Sequence, residues 1–372
     1  TMNGGIIGKE ITGSDASTGK QSWQDAATET NHSNYAYAGG GGIYAVDGTV
    51  TIKDAKVSYN YVSDDDKNGN PDRTSLSSGG GICMNKGTLI LENTEVSYNR
   101  GYLGGGVRCY NDGTVKVGTL TLKNATIKGN AGKHYGWSNF GGALAIRHFD
   151  VICDKLAEAS IIEENYSADG GAVFLEHTTS TLENITIQNN SYHTDGYRYG
   201  SEMLLWENAN ISIASNTVNI SSDNTTERKG IFINRSTDKL NLSGNISLNS
   251  PINLHFESGQ SSPSTVTVAR NLSENNVATI YLVGNYTEGT QVLVAEGEVN
   301  LADQVGKFTL KNENYKISDE GTVVSKSGGG GTVNPDVTVT SWSTLKSTIE
   351  SIDTTYTEEN PYVIEITSDI TT

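Results

Sequence analysis

The chain has 372 residues, including 42 Gly, 5 Pro and 3 Cys; hydrophobic residues make up 35% and the formal net charge is −17. This acidity excludes the basic stripe that nucleic acid needs, three cysteines are too few for a disulfide-built scaffold, and no run of 18 apolar residues offers a transmembrane helix. Apolar residues spaced out among Asn, Ser and Thr instead predict a β-rich chain.

Along the chain, one unit recurs. "GGGIYAVDGTVTIKDAKVSYN" (Gly40 to Asn60) is followed by "GGGICMNKGTLILENTEVSYN" (Gly79 to Asn99). Aligned on their last residue, the repeats close with Val57-Ser-Tyr-Asn60, Val96-Ser-Tyr-Asn99, Ile127-Lys-Gly-Asn130, Ile162-Glu-Glu-Asn165 and Ile187-Gln-Asn-Asn190; Ile7-Gly-Lys-Glu10 fits with Glu in place of Asn. Before each Asn lie two short stretches of period two, such as Leu89 and Leu91 then Thr94 and Val96. Alternation of this kind sends every second side chain inward. The closing Asn residues are 39, 31, 35 and 25 apart, and no stretch has the helical period that an α-solenoid would require. Short strands at this spacing, joined by Gly and Asn bends, predict an all-β, right-handed, single-stranded parallel β-helix. The Asn amides should then stack as an inward ladder, and the glycines should allow positive φ or close backbone contact. A phosphate-cradling reading of Gly-Gly-Gly fails, because no Lys-Ser/Thr follows.

Between each closing Asn and the next glycines there are 18, 4, 10, 4 and 9 residues, so nearly all insertion falls at one corner. In repeat architectures such loops line one face, the usual place for binding. After about Ser201 the glycine signature fades while alternating segments continue, from "ANISIASNTVNI" to "KFTLKNENYKI". We divide the chain into a β-helix domain over 1–325, a Gly-rich linker over 326–336, and residues 337–372. In the last segment Trp342, Leu345, Ile349 and Ile352 lie at helical spacing after Thr340 or Ser341 as N-cap, and "YVIEITSDI" reads as a strand. A helix before a first strand would cap a following β-helix module. Because the chain starts inside a repeat and stops inside a motif, it reads as a piece of a larger protein.

The stretches "MNGGIIGKE", "GGGIYAVDGTVTIKDAKVSYN" and "GGGVRCYNDGTVKVGTLTLKNATIKGN" resemble the right-handed parallel β-helix repeats of large bacterial surface proteins of polymorphic-outer-membrane-protein and adhesin type. The resemblance covers nearly the whole chain. It implies export, an extracellular or cell-surface location and a monomeric module within a larger chain, and it supplies no catalytic motif.

Two local signals carry chemistry. In "DDDKNGNPD", Asp64, Asp66, Asn68 and Asp72 stand at positions one, three, five and nine of a calcium-loop pattern, with Asn70 offering a carbonyl at seven. Ser75 holds position twelve in place of Glu, so a Ca2+ site here would have an incomplete shell; a solvated turn is the other reading. The second signal is aromatic density in the corner loops, including Tyr135, Trp137, Tyr192, Tyr197, Arg198 and Tyr199. Such side chains suit the faces of a glycan or another host surface ligand. Equally, they could fold back over an outward row formed by Leu144, Ile146, Val173, Leu175, Met203 and Leu205. For catalysis the candidates are Glu163, Glu164, Glu176, Glu202 and Glu207, whose spacing does not set them apart from solvent-facing ladder positions, and His134, His148, His177 and His193 are scattered singly. A non-enzymatic binding module is therefore the expected function, with a polysaccharide-acting enzyme and a passive stalk as alternatives. Cys83 and Cys109 each precede a Gly-Thr by four residues, making them candidate neighbours, either bonded or stacked as thiols.

Overall fold

The computed structural model describes residues 1–8, 34–36, 39–62, 79–111, 113–132, 140–167, 171–192, 199–222, 228–256, 260–326, 337–352 and 364–366. They divide into two units, residues 1–312 with 317–323, and residues 313–316 with 324–372. The first unit is built from long parallel sheets, an arrangement compatible with an all-β parallel solenoid. Three sheets share the work. A ten-stranded sheet begins Ile43–Ala45, Ile82–Met84, Val107–Tyr110, Leu144–Arg147, Val173–Glu176 and Met203–Trp206. A larger sheet contains both period-two stretches of each repeat, which are continuous in Thr49–Ser58 and separate thereafter, and a six-stranded sheet takes the residues just after each closing Asn.

Strands of successive repeats pair in register. Ile52, Leu91, Leu122 and Cys153 form one buried row, and Val57, Val96, Ile127, Ile162, Ile187 and Ile220 another. Each aliphatic side chain withdrawn from water in this way contributes about 1.5–3 kcal/mol, so the rows supply the main cohesive force between repeats. The bends between strands are fixed by left-handed backbone. The residue ahead of each closing Asn has φ of 56° at Tyr59, Tyr98, Glu164 and Asn189 and 61° at Gly129. Asp54, Asn93, Asn124 and Asn184 repeat the conformation between the two period-two strands, where Asn and Asp are favoured because their short side chains bond locally.

The closing Asn residues form a continuous buried ladder. The Oδ1 of Asn130 accepts from the backbone N (2.9 Å) and Nδ2 (3.0 Å) of Asn99, while its own Nδ2 donates to Asn165 Oδ1 (3.0 Å) and to the carbonyl of Val96 (2.8 Å). Asn60, Asn99 and Asn165 follow the same pattern, and Asn190 ends it, accepting from Asn165 through its Oδ1. The glycines meet the close-contact expectation, for a Cβ on Gly105 would lie 2.3 Å from the carbonyl oxygen of Ala131 and 2.6 Å from that of Gly142.

The connections of 18, 4, 10, 4 and 9 residues all join the six-stranded sheet to the ten-stranded one. Two further excursions leave elsewhere, at 111–117 after Val107–Tyr110 and at 154–159 after Phe149–Cys153. One parity assignment is corrected. Leu144, Ile146, Val173, Leu175, Met203 and Leu205 lie in the buried rows of the ten-stranded sheet, and it is the alternate row of Ala145, Phe174, Leu204 and Phe232 that packs under Leu103 and Phe140 from the preceding connections. Both rows are apolar, so alternation alone gives no preferred face. Cys83 and Cys109 are free and buried. Cys109 pairs in register with Met84 and Cys83 with Arg108, which sends the two thiols to opposite faces. The Gly-Thr anchor misleads because Gly87 pairs with Gly118, not Gly113.

In the second unit, Val337–Val339 pairs in parallel with Ile364–Ile366. The helix Trp342–Ser351 is capped by Ser341, whose Oγ accepts from Thr344 N at 3.2 Å. Its Trp342 and Ile349 are about half exposed, at 49% and 54%. Among the described residues no helix is long and apolar enough to cross a membrane.

Candidate functional site

Side chains with chemistry converge at the C-terminal ends of the ten-stranded sheet. The cause is register: equivalent positions of successive strands stack, so residues roughly 30 apart in sequence become neighbours. Tyr110, Arg147, Glu176 and Trp206 occupy one such column. Arg147 Nη1 donates to Tyr110 Oη at 2.9 Å, Tyr110 Oη donates to Glu176 Oε2 at 3.3 Å, and Arg147 Nε lies 3.6 Å from Glu176 Oε1. The guanidinium of Arg108 lies 4.4 Å from the centre of the Tyr110 ring. Glu176 is buried, and this cluster of phenol and guanidinium groups is what makes a buried carboxylate tolerable.

One residue further on, the strands turn through left-handed backbone at His148, His177, Glu207 and Asn208. His148 and His177 stack face to face, with ring centres 4.7 Å apart and planes within 4°. His148 and His177, which look scattered in the sequence, are therefore partners. His177 Nε2 lies 3.8 Å from Glu207 Oε2, its Nδ1 is 3.3 Å from Asn208 Nδ2, and Arg235 Nη1 lies 2.9 Å from Glu207 Oε1. Ligand atoms of Glu176, His177 and Glu207 all fall within 4.8 Å of one another, although each carboxylate already has a guanidinium partner.

Beside this cluster opens a pocket of about 450 Å³ lined by Glu207, Asn208, Arg235, Ser236, Thr237, Gln260 and Ser261. Its lining comes from the segments following three consecutive strands, Met203–Trp206, Ile231–Ile233 and Ile252–Phe256. Arg235 lies across the Trp206 ring at 5.4 Å. The turn carrying Arg235, Ser236 and Thr237 is tied down by Asp238, whose Oδ2 accepts from Arg235 N (2.9 Å) and whose Oδ1 accepts from Ala209 N (3.1 Å). Burial pushes the Asp238 carboxyl up to about 6, against the lowering effect of those backbone donors.

The catalytic candidates separate. Glu176 and Glu207 come together here, whereas Glu163 and Glu164 flank Lys128, both at 3.3 Å, and Glu202 is buried with its Oε2 accepting from Asn190 Nδ2 at 2.5 Å. Of the aromatic candidates, Tyr192 is buried with Lys229 Nζ 4.3 Å above its ring. Tyr199 is half-buried, edge-on to Phe232 (5.1 Å) and to Trp206 (5.8 Å). Phe140 stacks on Phe174 at 4.9 Å, so the described aromatics of the connections cover the sheet. Tyr135, Trp137, Tyr197 and Arg198 lie outside the described residues, as do Asp64, Asp66, Asn68, Asn70 and Asp72 of the calcium-loop pattern and His134 and His193. Sequence reasoning missed Asn208, Arg235 and Gln260. Neither a motif nor a shared spacing joins them, and only the pairing of strands could have found them.

Comparison with family models, with curated proteins and with solved structures finds no match to this chain.

Proposed function

We propose that this chain is a right-handed parallel β-helix module of an adhesin-like bacterial surface protein, extracellular and non-enzymatic, that presents one edge to a glycan or host ligand. The hand follows the general preference, about 98%, of parallel crossovers in one sheet. The observation that carries the reading is the placement of the connections. The 18-, 10- and 9-residue segments all enter the ten-stranded sheet at the same side of a scaffold whose repeats are locked in register, the arrangement by which solenoids build extended binding surfaces. Aromatic and polar residues crowd those segments, the composition suited to sugar faces. The test is binding of the whole chain to arrays of glycans and matrix proteins, with a variant in which residues 133–139 are replaced by Gly and Ser. Binding that the replacement abolishes supports the reading; the absence of any ligand in both arrays overturns it in favour of a passive stalk.

A polysaccharide-acting enzyme is the second reading, favoured by the approach of Glu176 and Glu207 in one cluster, since paired carboxylates can serve as acid and base on a glycosidic bond. Release of reducing ends or unsaturated products from neutral and acidic polysaccharides, lost in Glu207→Gln, would establish it over the binding module.

A further inference from the structure

We infer that the pocket between Glu207, Arg235 and Gln260 is a binding site for an uncharged saccharide unit, a site separate from the loop-covered entrance of the ten-stranded sheet. The inference rests on the surface-module reading and adds to it a location and a ligand class.

Four observations combine. First, the pocket is large enough for a small ligand, at about 450 Å³, within the range of roughly 300–1,000 Å³ typical of such sites. Second, its lining is made of amide, hydroxyl, carboxylate and guanidinium groups, which together offer both donors and acceptors. Third, its charge is balanced. Glu207 and Arg235 are 2.9 Å apart, so a carboxylate ligand would meet Glu207 and a cationic one Arg235, whereas a polyol satisfies both. Its hydroxyl hydrogens go to the carboxylate oxygens, and its oxygens accept from the guanidinium N–H groups not engaged by Glu207. Arg235 is also held against Trp206, which reduces the ordering cost of binding.

The fourth observation points to a missing donor. Gln260 Nε2 donates to the carbonyl of Asn234 at 3.3 Å. That bond fixes the amide orientation, because the reverse assignment would set two oxygens against each other. Gln260 Oε1 is consequently the acceptor of this amide, and it is buried with no hydrogen-bond partner among the described residues. A buried acceptor without a donor is costly to keep, and a small turn of the Gln260 side chain, which lines the pocket, brings this oxygen to a ligand hydroxyl.

The experiment applies the whole 372-residue chain to an array of neutral gluco-, manno- and galacto-oligosaccharides and their uronate-containing counterparts. The strongest neutral binder is then titrated by calorimetry into wild type, Gln260→Ala, Arg235→Ala and the milder Ser261→Ala. The expected result is preference for neutral over uronate-containing sugars, with affinity falling on the order of tenfold in Gln260→Ala and at least as far in Arg235→Ala, while thermal melting keeps its midpoint. If Arg235→Ala lowers that midpoint, the decision passes to Gln260→Ala and Ser261→Ala. Saccharide binding with wild-type affinity in these variants, or a preference for uronates, overturns the pocket assignment and leaves the surface-module reading standing. Binding to matrix protein with no saccharide bound overturns the pocket alone, and no binding to either array overturns both.

Discussion

Replacing Asn130 by Ala tests whether the amide ladder, and not only the aliphatic rows, holds the repeats together. Asn130 is fully buried, and truncation removes four hydrogen bonds made by its side chain. Not all of their partners are left wanting. Asn99 Nδ2 keeps its bond to the Val57 carbonyl, and Asn165 Oδ1 keeps the bond from the Asn130 backbone N. The group orphaned is the backbone N–H of Asn99, since the Val96 carbonyl keeps the ladder bond it accepts from Lys128 N in the parallel pairing of the two strands. For one buried unsatisfied group the cost is about 1–3 kcal/mol, with the lower end reached if water enters the gap. Lys86→Ala is the control, since it removes an exposed ion pair with Asp47 at 3.1 Å, a kind of pair that contributes little to stability. Denaturant midpoints measure the total. Because a solenoid's stability is a sum of repeat and interface terms, amide hydrogen exchange is the sharper assay. Protection should fall at Asn99, on the side facing the preceding repeat, and persist at Asn165. A loss of less than 1 kcal/mol, or protection lost equally on both sides, would refute the reasoning.

Three other outcomes are expected. Gly105→Ala must move the backbone at Ala131 or Gly142 and should cost about 1–3 kcal/mol or more, whereas Gly306→Ala, with open space around its Cβ, should leave the melting midpoint unchanged; equal midpoints for the two variants would discredit the close-contact account. Asp238 has its folded pKa raised from 3.8 to about 6, so its contribution is full below pH 3.8 and is lost as pH rises through 6. Over pH 4 to 7 this amounts to about 3 kcal/mol at most, and the stability-against-pH curve of Asp238→Asn should lack that fall; parallel curves would remove the assignment. Asp47 and Asp154, whose pKa values are lowered by backbone donors at Gly48 and Leu156, titrate below that window. For the calcium-loop pattern of Asp64, Asp66, Asn68 and Asp72, calcium at a hundredfold excess over Kd should add about 2.7 kcal/mol, and an unchanged midpoint in excess EDTA would remove the site.

What could be read in advance follows from which positions demand one residue type. The closing Asn is legible because an amide ladder needs the same donor and acceptor at every step, and Val57, Val96 and Ile127 are legible because a buried row needs aliphatics at fixed spacing. The helix at Trp342–Ser351 announces itself through Ser341 and the spacing of Trp342, Leu345 and Ile349. Other positions accept many residue types. The left-handed bend after the ten-stranded sheet is filled by His148, His177 and Glu207, so no pattern betrays the stacked imidazoles. The pocket is a meeting of Glu207, Arg235 and Gln260 from three different turns, each ordinary in its own sequence context.

The fading of the glycine signature has a physical explanation in the same ladder. The third residue of the glycine corner runs Gly42, Gly81, Gly106, Ala143, Ala172, Glu202, as the backbone pairing of the ten-stranded sheet aligns it. A Cβ at Gly42, Gly81 or Gly106 would point at Asn60, Asn99 or Asn130, at 2.9 to 3.1 Å, so a large side chain there competes with the amide for the same space. At the end of the run of closing Asn residues that competition changes sign. The Glu202 carboxylate occupies the space and accepts from Asn190 Nδ2 at 2.5 Å, supplying a terminal acceptor to the amide that ends the series. Only glycine or alanine stands where the ladder continues and an acid is accommodated where it stops, so sequence and architecture change together at Ser201 and Glu202. Glu202→Ala should therefore weaken amide protection around Asn190 while leaving Asn99 and Asn130 untouched, and equal losses along the ladder would show that the carboxylate is not its terminus.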